Sequence, residues 1–480
     1  MFSKRFRNLA LVGVLLVGGL LLSCSAPQSR VSAPKIDNLV VILIDTLRSD
    51  HLPSYGYHRN TAPFLGQLAD QGIQLQGYSV SSWTKPSIAT MFTAVAPQRH
   101  QAISRSDTLP DNVPYLPQLL SEQGFSTATF IGNRNAGRKF GFARGFDTYL
   151  QSKHTSKVDG ARVTDAALTV TPALSDSSRY FLYVHYVDPH DPYRPPQPWF
   201  EEGGEREWEY IQPGRIAKGL QQPSPRNLRR MVDQYDGEIL DVDQQIQRLL
   251  QSMDQQGLLE STLVVITSDH GEEFLEHGEL THGNGLYEEV LQVPFILWMK
   301  GNKLPSYQTP ERFLQIDFLP TVLEALEISV PSIEGNGAID GESRWQSILE
   351  QQPESYGAAY FHLDLDGAGA LASLEGDTKL IHSLEKPHDR LFDLAEDPGE
   401  LRPTTALIGK SLEKRRALIS HHNRMGILAN QRSVETLDDE TRRSLIALGY
   451  LDLNTPEEEL RQRYVPPRLP RESGFNAPQP

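Results

Sequence analysis

The stretch Val40-Val41-Ile42-Leu43-Ile44 followed by Asp45 sets the terms for this chain. A short run rich in β-branched residues reads as a strand buried on both faces. Its abrupt end in a carboxylate puts a charge at the rim of a sheet, where open α/β folds bind their ligands. Alone, Asp45 could equally cap a turn. A second run, Leu263 to Thr267, ends in the same manner with Ser268-Asp269-His270-Gly271. Further strand-like runs are Ser126–Ile131, Tyr180–Tyr186 and Val293–Met299. Amphipathic segments at 63–72, 115–123 and 231–253 alternate with them, the last with an apolar stripe from Met231 to Met253 and Gly257 placed to end it. The alternation predicts an α/β fold: a mainly parallel central sheet flanked by helices, with a smaller C-terminal α+β subdomain.

The ends of the chain carry a different signal. Lys4, Arg5 and Arg7 precede an apolar stretch from Leu9 to Leu22, about fourteen residues and too short for a membrane span. Leu21-Leu22-Ser23-Cys24 resembles a bacterial lipobox, cleaved before a cysteine that carries lipid. Residues 1–24 are therefore expected to be a lipoprotein signal peptide and 25–36 a tether. The expected location is the bacterial cell envelope, at the periplasmic face of the outer membrane or the cell surface. The catalytic domain is expected over 37–330, the C-terminal subdomain over 331–430, and a short helix with a disordered tail over 431–480. Residues 189–230, rich in Pro, Gly, Glu and Arg, read as a surface insertion.

Composition excludes some functions. A net charge of -15 over 480 residues leaves no basic stripe for nucleic acid. An anionic substrate then needs a local positive centre, which a bound metal ion supplies. Cys24 is the single cysteine, so no intramolecular disulfide and no cysteine-based zinc site can form. Asp269 beside His270 offers oxygen and nitrogen together, a set suited to a divalent ion of borderline hardness, Ca²⁺ preferring oxygen alone. Gly271 is expected to permit the turn that lets both face one ion. Between the two strands lies Ser82-Trp83-Thr84-Lys85-Pro86-Ser87. Thr84 stands where a helix N-cap belongs, with Pro86 in the first turn. A hydroxyl there faces the positive end of the helix dipole, and a metal would make it a nucleophile.

Asp45, then Thr84-Lys85-Pro86-Ser87, His185-Tyr186-Val187-Asp188-Pro189-His190, Ser268-Asp269-His270-Gly271 and His282-Gly283, in that order, resemble the sulfatase family of the alkaline phosphatase superfamily. Leu286-Tyr287-Glu288-Glu289, Gln315-Ile316-Asp317 and Leu391-Phe392-Asp393-Leu394 extend the likeness over roughly 37 to 400. The resemblance implies that Asp45, Asp269 and His270 hold one divalent ion, be it Ca²⁺, Mg²⁺, Mn²⁺ or Zn²⁺. It sets Thr84 at the nucleophile position and in contact with that ion. His190 would contact the ester group or leaving oxygen, His282 would be a cationic residue on the far side of the site, and Lys85 would point at the substrate oxyanion or at solvent. His185 reads as a site residue or a core histidine, His277 is equally open, and Lys139 is a further oxyanion candidate. Glu272 and Glu273 are expected in a solvated loop.

Two positions depart from the family pattern. Typical members carry Cys or Ser, matured to formylglycine, where this chain has Thr84, and arginine where it has Ile88. A secondary alcohol cannot yield that aldehyde. The frequent Asp-Asp pair is Asp45-Thr46 here, so Thr46 ligates weakly or the ion has fewer protein ligands. The expected activity is a metal-dependent hydrolase cleaving a phosphate or sulfate ester through Thr84, phosphoester favoured. The alternatives are a phospho-headgroup transferase of the same fold and a non-catalytic glycan-binding lipoprotein. The implied partners are an anionic ester, on a glycan or a lipid headgroup, and a membrane reached through lipidated Cys24.

Overall fold

The computed structural model describes residues 33–447, apart from 153–156, 197–222, 331–337, 353–355, 366–367, 385–387, 405–407, 430–432 and 436. The expected signal peptide with Cys24, the tether up to residue 32, most of the 189–230 insertion and the tail from 448 onward lie outside these residues.

Eight strands form the central sheet: β1 (Asn38–Ile44), β2 (Ile73–Tyr78), β3 (Ser126–Ile131), β4 (Thr148–Gln151), β5 (Tyr180–Tyr186), β6 (Thr262–Thr267), β9 (Gln292–Trp298) and β10 (Tyr307–Leu314). The hairpin strands β7 (Glu273–Phe274) and β8 (Leu280–Thr281) lie between β6 and β9. The order across the sheet is β10-β2-β9-β6-β1-β5-β3-β4. Only β9 runs antiparallel to its two neighbours. A second sheet of four antiparallel strands follows: β11 (Ala359–Leu365), β12 (Ala368–Glu375), β13 (Thr378–Ser383) and β14 (His388–Asp393). The fold is thus the expected one.

The double burial read from β1 has a direct structural counterpart. Leu39, Val41 and Leu43 enter one core with Ile88, Met91 and Phe92 of the helix Thr84–Thr93. Val40, Ile42 and Ile44 enter the other, with Tyr235, Ile239, Val242 and Ile246 of the helix Pro225–Gln255. Each such side chain is worth roughly 1.5–3 kcal/mol against exposure. The long helix starts where Ser224 accepts from the backbone N–H of Asn227 with Pro225 in its first turn, and Gly257 follows its end at φ 72°.

Several elements were not readable from pattern. β2 carries Gln74 and Gln76 and lacks an apolar run. It stays in the interior because Gly77 lets it approach β9, where a Cβ would meet the Val293 carbonyl oxygen at 2.8 Å. β10 contains Pro310 and takes the edge, the place where a missing N–H costs least. The helix Gly160–Ser175 holds Pro172 and β-branched residues that dilute its periodicity.

Candidate metal and ester site

β1 lies between β5 and β6 and parallel to both, with Leu43 opposite His185 and Thr267. β3 lies beyond β5, with Ile131 opposite His185. The carboxyl ends of these four strands therefore meet on one edge, which gathers Asp45, Asn133, His185, His190, Asp269 and His270 from a span of over two hundred residues. Asp45 continues the ladder, its N–H donating to the Tyr186 carbonyl at 3.0 Å. The chain then turns at Thr46, whose φ of 58° is a left-handed conformation costly for a β-branched residue. Its N–H donates to Asp269 Oδ1 at 3.2 Å, and its carbonyl accepts from the Tyr235 hydroxyl at 2.7 Å. Those two bonds hold the turn.

Each carboxylate has one oxygen engaged and one left over. Asp45 Oδ2 accepts from Asn133 Nδ2 at 2.7 Å and pairs with His185 Nε2 at 3.3 Å. Asp269 Oδ1 accepts from the N–H groups of Thr46 and His270 at 3.2 and 3.0 Å. Asp45 Oδ1 and Asp269 Oδ2 are buried and accept no hydrogen bond among the described residues. They lie 3.7 and 3.5 Å from His270 Nε2. His270 Nδ1 is bonded to the Gly271 carbonyl at 2.9 Å, so it carries the proton and Nε2 presents a lone pair. Oxygens of Asp45 and Asp269 and a nitrogen of His185 lie within 4.8 Å of one another. Two carboxylates this close repel by about 3 kcal/mol at an effective dielectric near 20. Burial and the charge of Asp45 push Asp269 up to about 6, while for Asp45 burial is outweighed by the bond from His185 and the neighbouring imidazoles, leaving about 2. Two orphaned oxygens and an imidazole lone pair around one point fit a divalent cation.

Thr84 is the first residue of its helix, not the cap: Trp83 holds that position and no side chain caps it. The Thr84 hydroxyl is thus turned to the site, 3.3 Å from His270 Nε2 and 3.3 Å from Asn133 Nδ2. Ile88, at the family's arginine position, is packed in the core.

The remaining histidines flank this centre. The His282 ring stands 4.4 Å from that of His270 and 4.8 Å from that of His190. His190 Nδ1 bonds the Asp191 carbonyl at 2.6 Å, and burial depresses its pKa to about 4, so the ring is neutral. His282 Nδ1 lies 2.8 Å from Glu272 Oε1, and Tyr193 donates to Glu272 Oε2 at 3.0 Å. Burial drives Glu272 well above its ordinary range and His282 well below its own.

Other expectations need correction. Lys85 is fully buried, donates to the carbonyls of Arg105 and Asp107 at 2.6 and 2.9 Å, and lies 3.5 Å from the centre of the Phe140 ring. Its charge braces the loop that carries Arg105 and Asp107 instead of facing an oxyanion or solvent. Glu272 and Glu273 are buried, not solvated. Gly271 has no positive φ; glycine is needed because a Cβ would meet the Glu289 carbonyl oxygen at 2.0 Å. Lys139 pairs with Asp438 at 2.8 Å, and His277 bonds Glu289 and stacks on Tyr287. Asn133 and Gln315, whose amide donates to the carbonyls of Ser268 and Asp269, were missed. Gln315 lies in a stretch that carries the family likeness, but its role, like that of Asn133, has no sequence signal, since a lone amide gains its role only from what the fold sets beside it.

The family model described as Sulfatase matches residues 37–328. The low-salt glycan biosynthesis sulfotransferase of Haloferax volcanii is 27% identical over 337 residues, 68% of this chain and 69% of that protein. The Delta 4,5-hexuronate-2-O-sulfatase of Bacteroides thetaiotaomicron is 23% identical over 444 residues, 83% of this chain and 90% of its own length. Among solved structures, the phosphonate monoester hydrolase of Silicibacter pomeroyi superposes with a TM-score of 0.66 at 19% identity, covering 81% of this chain and 95% of that one, a likeness of fold.

Proposed function

The chain belongs to the sulfatase family of ester-hydrolysing enzymes, and from that premise we propose that it cleaves an anionic ester through Thr84, with phosphate or phosphonate esters preferred. The observation that carries this reading is the Thr84 hydroxyl, uncapped at a helix start and 3.3 Å from both His270 Nε2 and Asn133 Nδ2. Asp45, Asp269 and His270 would hold one divalent ion, with Thr84 beside it. When bound, the ion neutralises the two carboxylates, draws in the anionic ester and lowers the pKa of a neighbouring hydroxyl.

Thr84 Oγ1, its proton given up to solvent, attacks phosphorus in line, the bond to the leaving oxygen breaks, and Oγ1 takes a proton back when water clears the threonyl ester. His282 would protonate that oxygen: with the proton on Glu272, its O–H donates to His282 Nδ1 and leaves an N–H on Nε2. His190, neutral and with Nδ1–H committed to Asp191, is suited to accept a proton from the water that clears the threonyl ester. Phosphorus is preferred because a threonyl phosphate hydrolyses by attack of water. A threonyl sulfate has no aldehyde to re-form and would turn over slowly.

Assays with aryl phosphate, phosphonate and sulfate esters test this. Thr84→Ala should lose at least ~10³ in kcat, Thr84→Ser should keep much of it, and trapped enzyme should carry one phosphate on Thr84. Equal rates for wild type and Thr84→Ala end the proposal. The sulfotransferase relative favours a second reading, transfer to an alcohol acceptor. Product analysis with and without such an acceptor separates the two. The anchor at Cys24 completes the proposal, giving access to envelope glycans or lipid headgroups. Among the described residues no helix is long and apolar enough to cross a membrane. Cys24→Ala should move the protein from the membrane to the soluble fraction.

A further inference from the structure

The metal centre proposed above has an unusual constraint in how its carboxylates are tied. Asp45 Oδ2 is held by Asn133 Nδ2 at 2.7 Å and His185 Nε2 at 3.3 Å. Asp269 Oδ1 is held by two backbone N–H groups. Each carboxylate therefore has a single oxygen to give, and those two oxygens face His270 Nε2. A carboxylate with one oxygen tied by two donors cannot swing to chelate with both. Ca²⁺ takes six to eight oxygens and commonly uses carboxylates in that two-oxygen mode. A nitrogen with a few single oxygens suits Zn²⁺ or Mn²⁺.

We infer that His185 and Asn133 are positioning residues that set the choice of metal, holding Asp45 to one oxygen so that the centre takes Zn²⁺ or Mn²⁺ in preference to Ca²⁺. His185 lies on β5 and Asn133 just past the end of its neighbour β3, and both are completely buried, so neither can relax away. His185 acts as a donor. With its proton on Nε2, the buried Nδ1, which has no partner among the described residues, is a bare acceptor and not a stranded N–H. The competing role for His185 is direct ligation, since its Nε2 lies among the oxygens of Asp45 and Asp269.

The inference rests on the metal centre of the proposed function, and metal titration separates the two without any substrate. Stripped full-length protein is titrated with Zn²⁺, Mn²⁺ and Ca²⁺ in competition with a chromophoric chelator, and bound metal is counted by mass spectrometry. Wild type should take one equivalent of Zn²⁺ or Mn²⁺ at least ~100-fold more tightly than Ca²⁺. His185→Phe and Asn133→Ala should weaken that binding by about 10- to 100-fold, the usual range for partners of a metal ligand, and shrink the preference over Ca²⁺ about tenfold. His185→Gln, which keeps an N–H donor, should recover most of it. Should His185→Phe fail to fold, Asn133→Ala carries the same comparison. Equal Ca²⁺ affinity in wild type, or an unchanged metal ratio in a folded His185→Phe or Asn133→Ala, overturns the inference alone. A Gln variant as poor as Phe makes His185 a ligand and overturns it too. A wild type that binds no ion sinks the metal centre itself.

Discussion

Asp45 and Asp269 are an arrangement that a bound cation relieves. Their free oxygens share one buried point with no protein donor among the described residues, and Asp269 is pushed up to about 6 in consequence. Ion binding should therefore stabilise the fold as well as complete the site. At an ion concentration 100 times Kd the gain is about 2.7 kcal/mol, a rise of a few degrees in Tm. Asp269→Asn removes both the ligand and the repulsion, so its Tm should not respond to metal in differential scanning calorimetry. A variant that keeps the full metal-dependent rise would mean that the ion binds elsewhere. Three of the residues at this point were readable in sequence because each ends a buried apolar run, where a charge is conspicuous. His185 sits inside its run, so its position left it open between a site residue and a core histidine, and Asn133 follows a run without a charge and goes unmarked. Thr46 was marked as a departure, yet its left-handed turn, which brings its N–H onto Asp269, has no local signature.

The helix Ile408–Ile427 packs against the four-stranded sheet, and histidines line the contact. His362 on β11 and His422 on the helix stack with ring centres 5.9 Å apart, His421 stacks on Tyr360 at 3.6 Å, and His382 on β13 bonds Asp389 at 2.6 Å. Burial, then the charge of His382, depresses His422 to about 4 from 6.5. A histidine held below its unfolded value stabilises the fold above that value, and the contribution is lost as pH falls from 6.5 through 4. A shift of this size is worth about 3 kcal/mol. Hydrogen exchange should show the helix losing protection between pH 6.5 and 4 before the central sheet does, and His422→Leu should shrink that step, His421 being depressed to about 4 as well. Simultaneous loss in helix and sheet would assign the transition elsewhere. At this scale, the strongly periodic stretch Met231–Met253 was readable, although its helix begins at Pro225, within the segment read as a surface insertion. β2 and β10 were not, because their burial comes from neighbours and not from their own apolar content.

The two sheets are joined through buried charge. Lys379 of β13 is fully buried, 2.7 Å from Glu288 Oε1 and 2.9 Å from Glu400 Oε1, while Tyr78 at the end of β2 donates to Glu288 Oε2 at 2.6 Å. One ammonium thus ties the smaller sheet to the larger. Lys379→Met would leave two buried carboxylates without their cation, at a cost of about 3–5 kcal/mol. Denaturant unfolding should show that loss, and a change under 1 kcal/mol would mean that the pair is neutral in the native protein. The smaller sheet also reaches the residue next to His282: Leu365 of β11 approaches Gly283 so closely that a Cβ there would meet it at 2.6 Å.

The sequence by itself determined the α/β class, the strand-end placement of Asp45 and Asp269-His270, and the identity of Thr84, because burial periodicity and abrupt charge are local properties of the chain. Only the tertiary structure decided what each of these does. Strand order put β1 between β5 and β6, so that one edge gathers donors from distant segments. That convergence turned Lys85 into a brace, drew Glu272 inside behind His282, and gave Asp45 and Asp269 each one tied oxygen and one free.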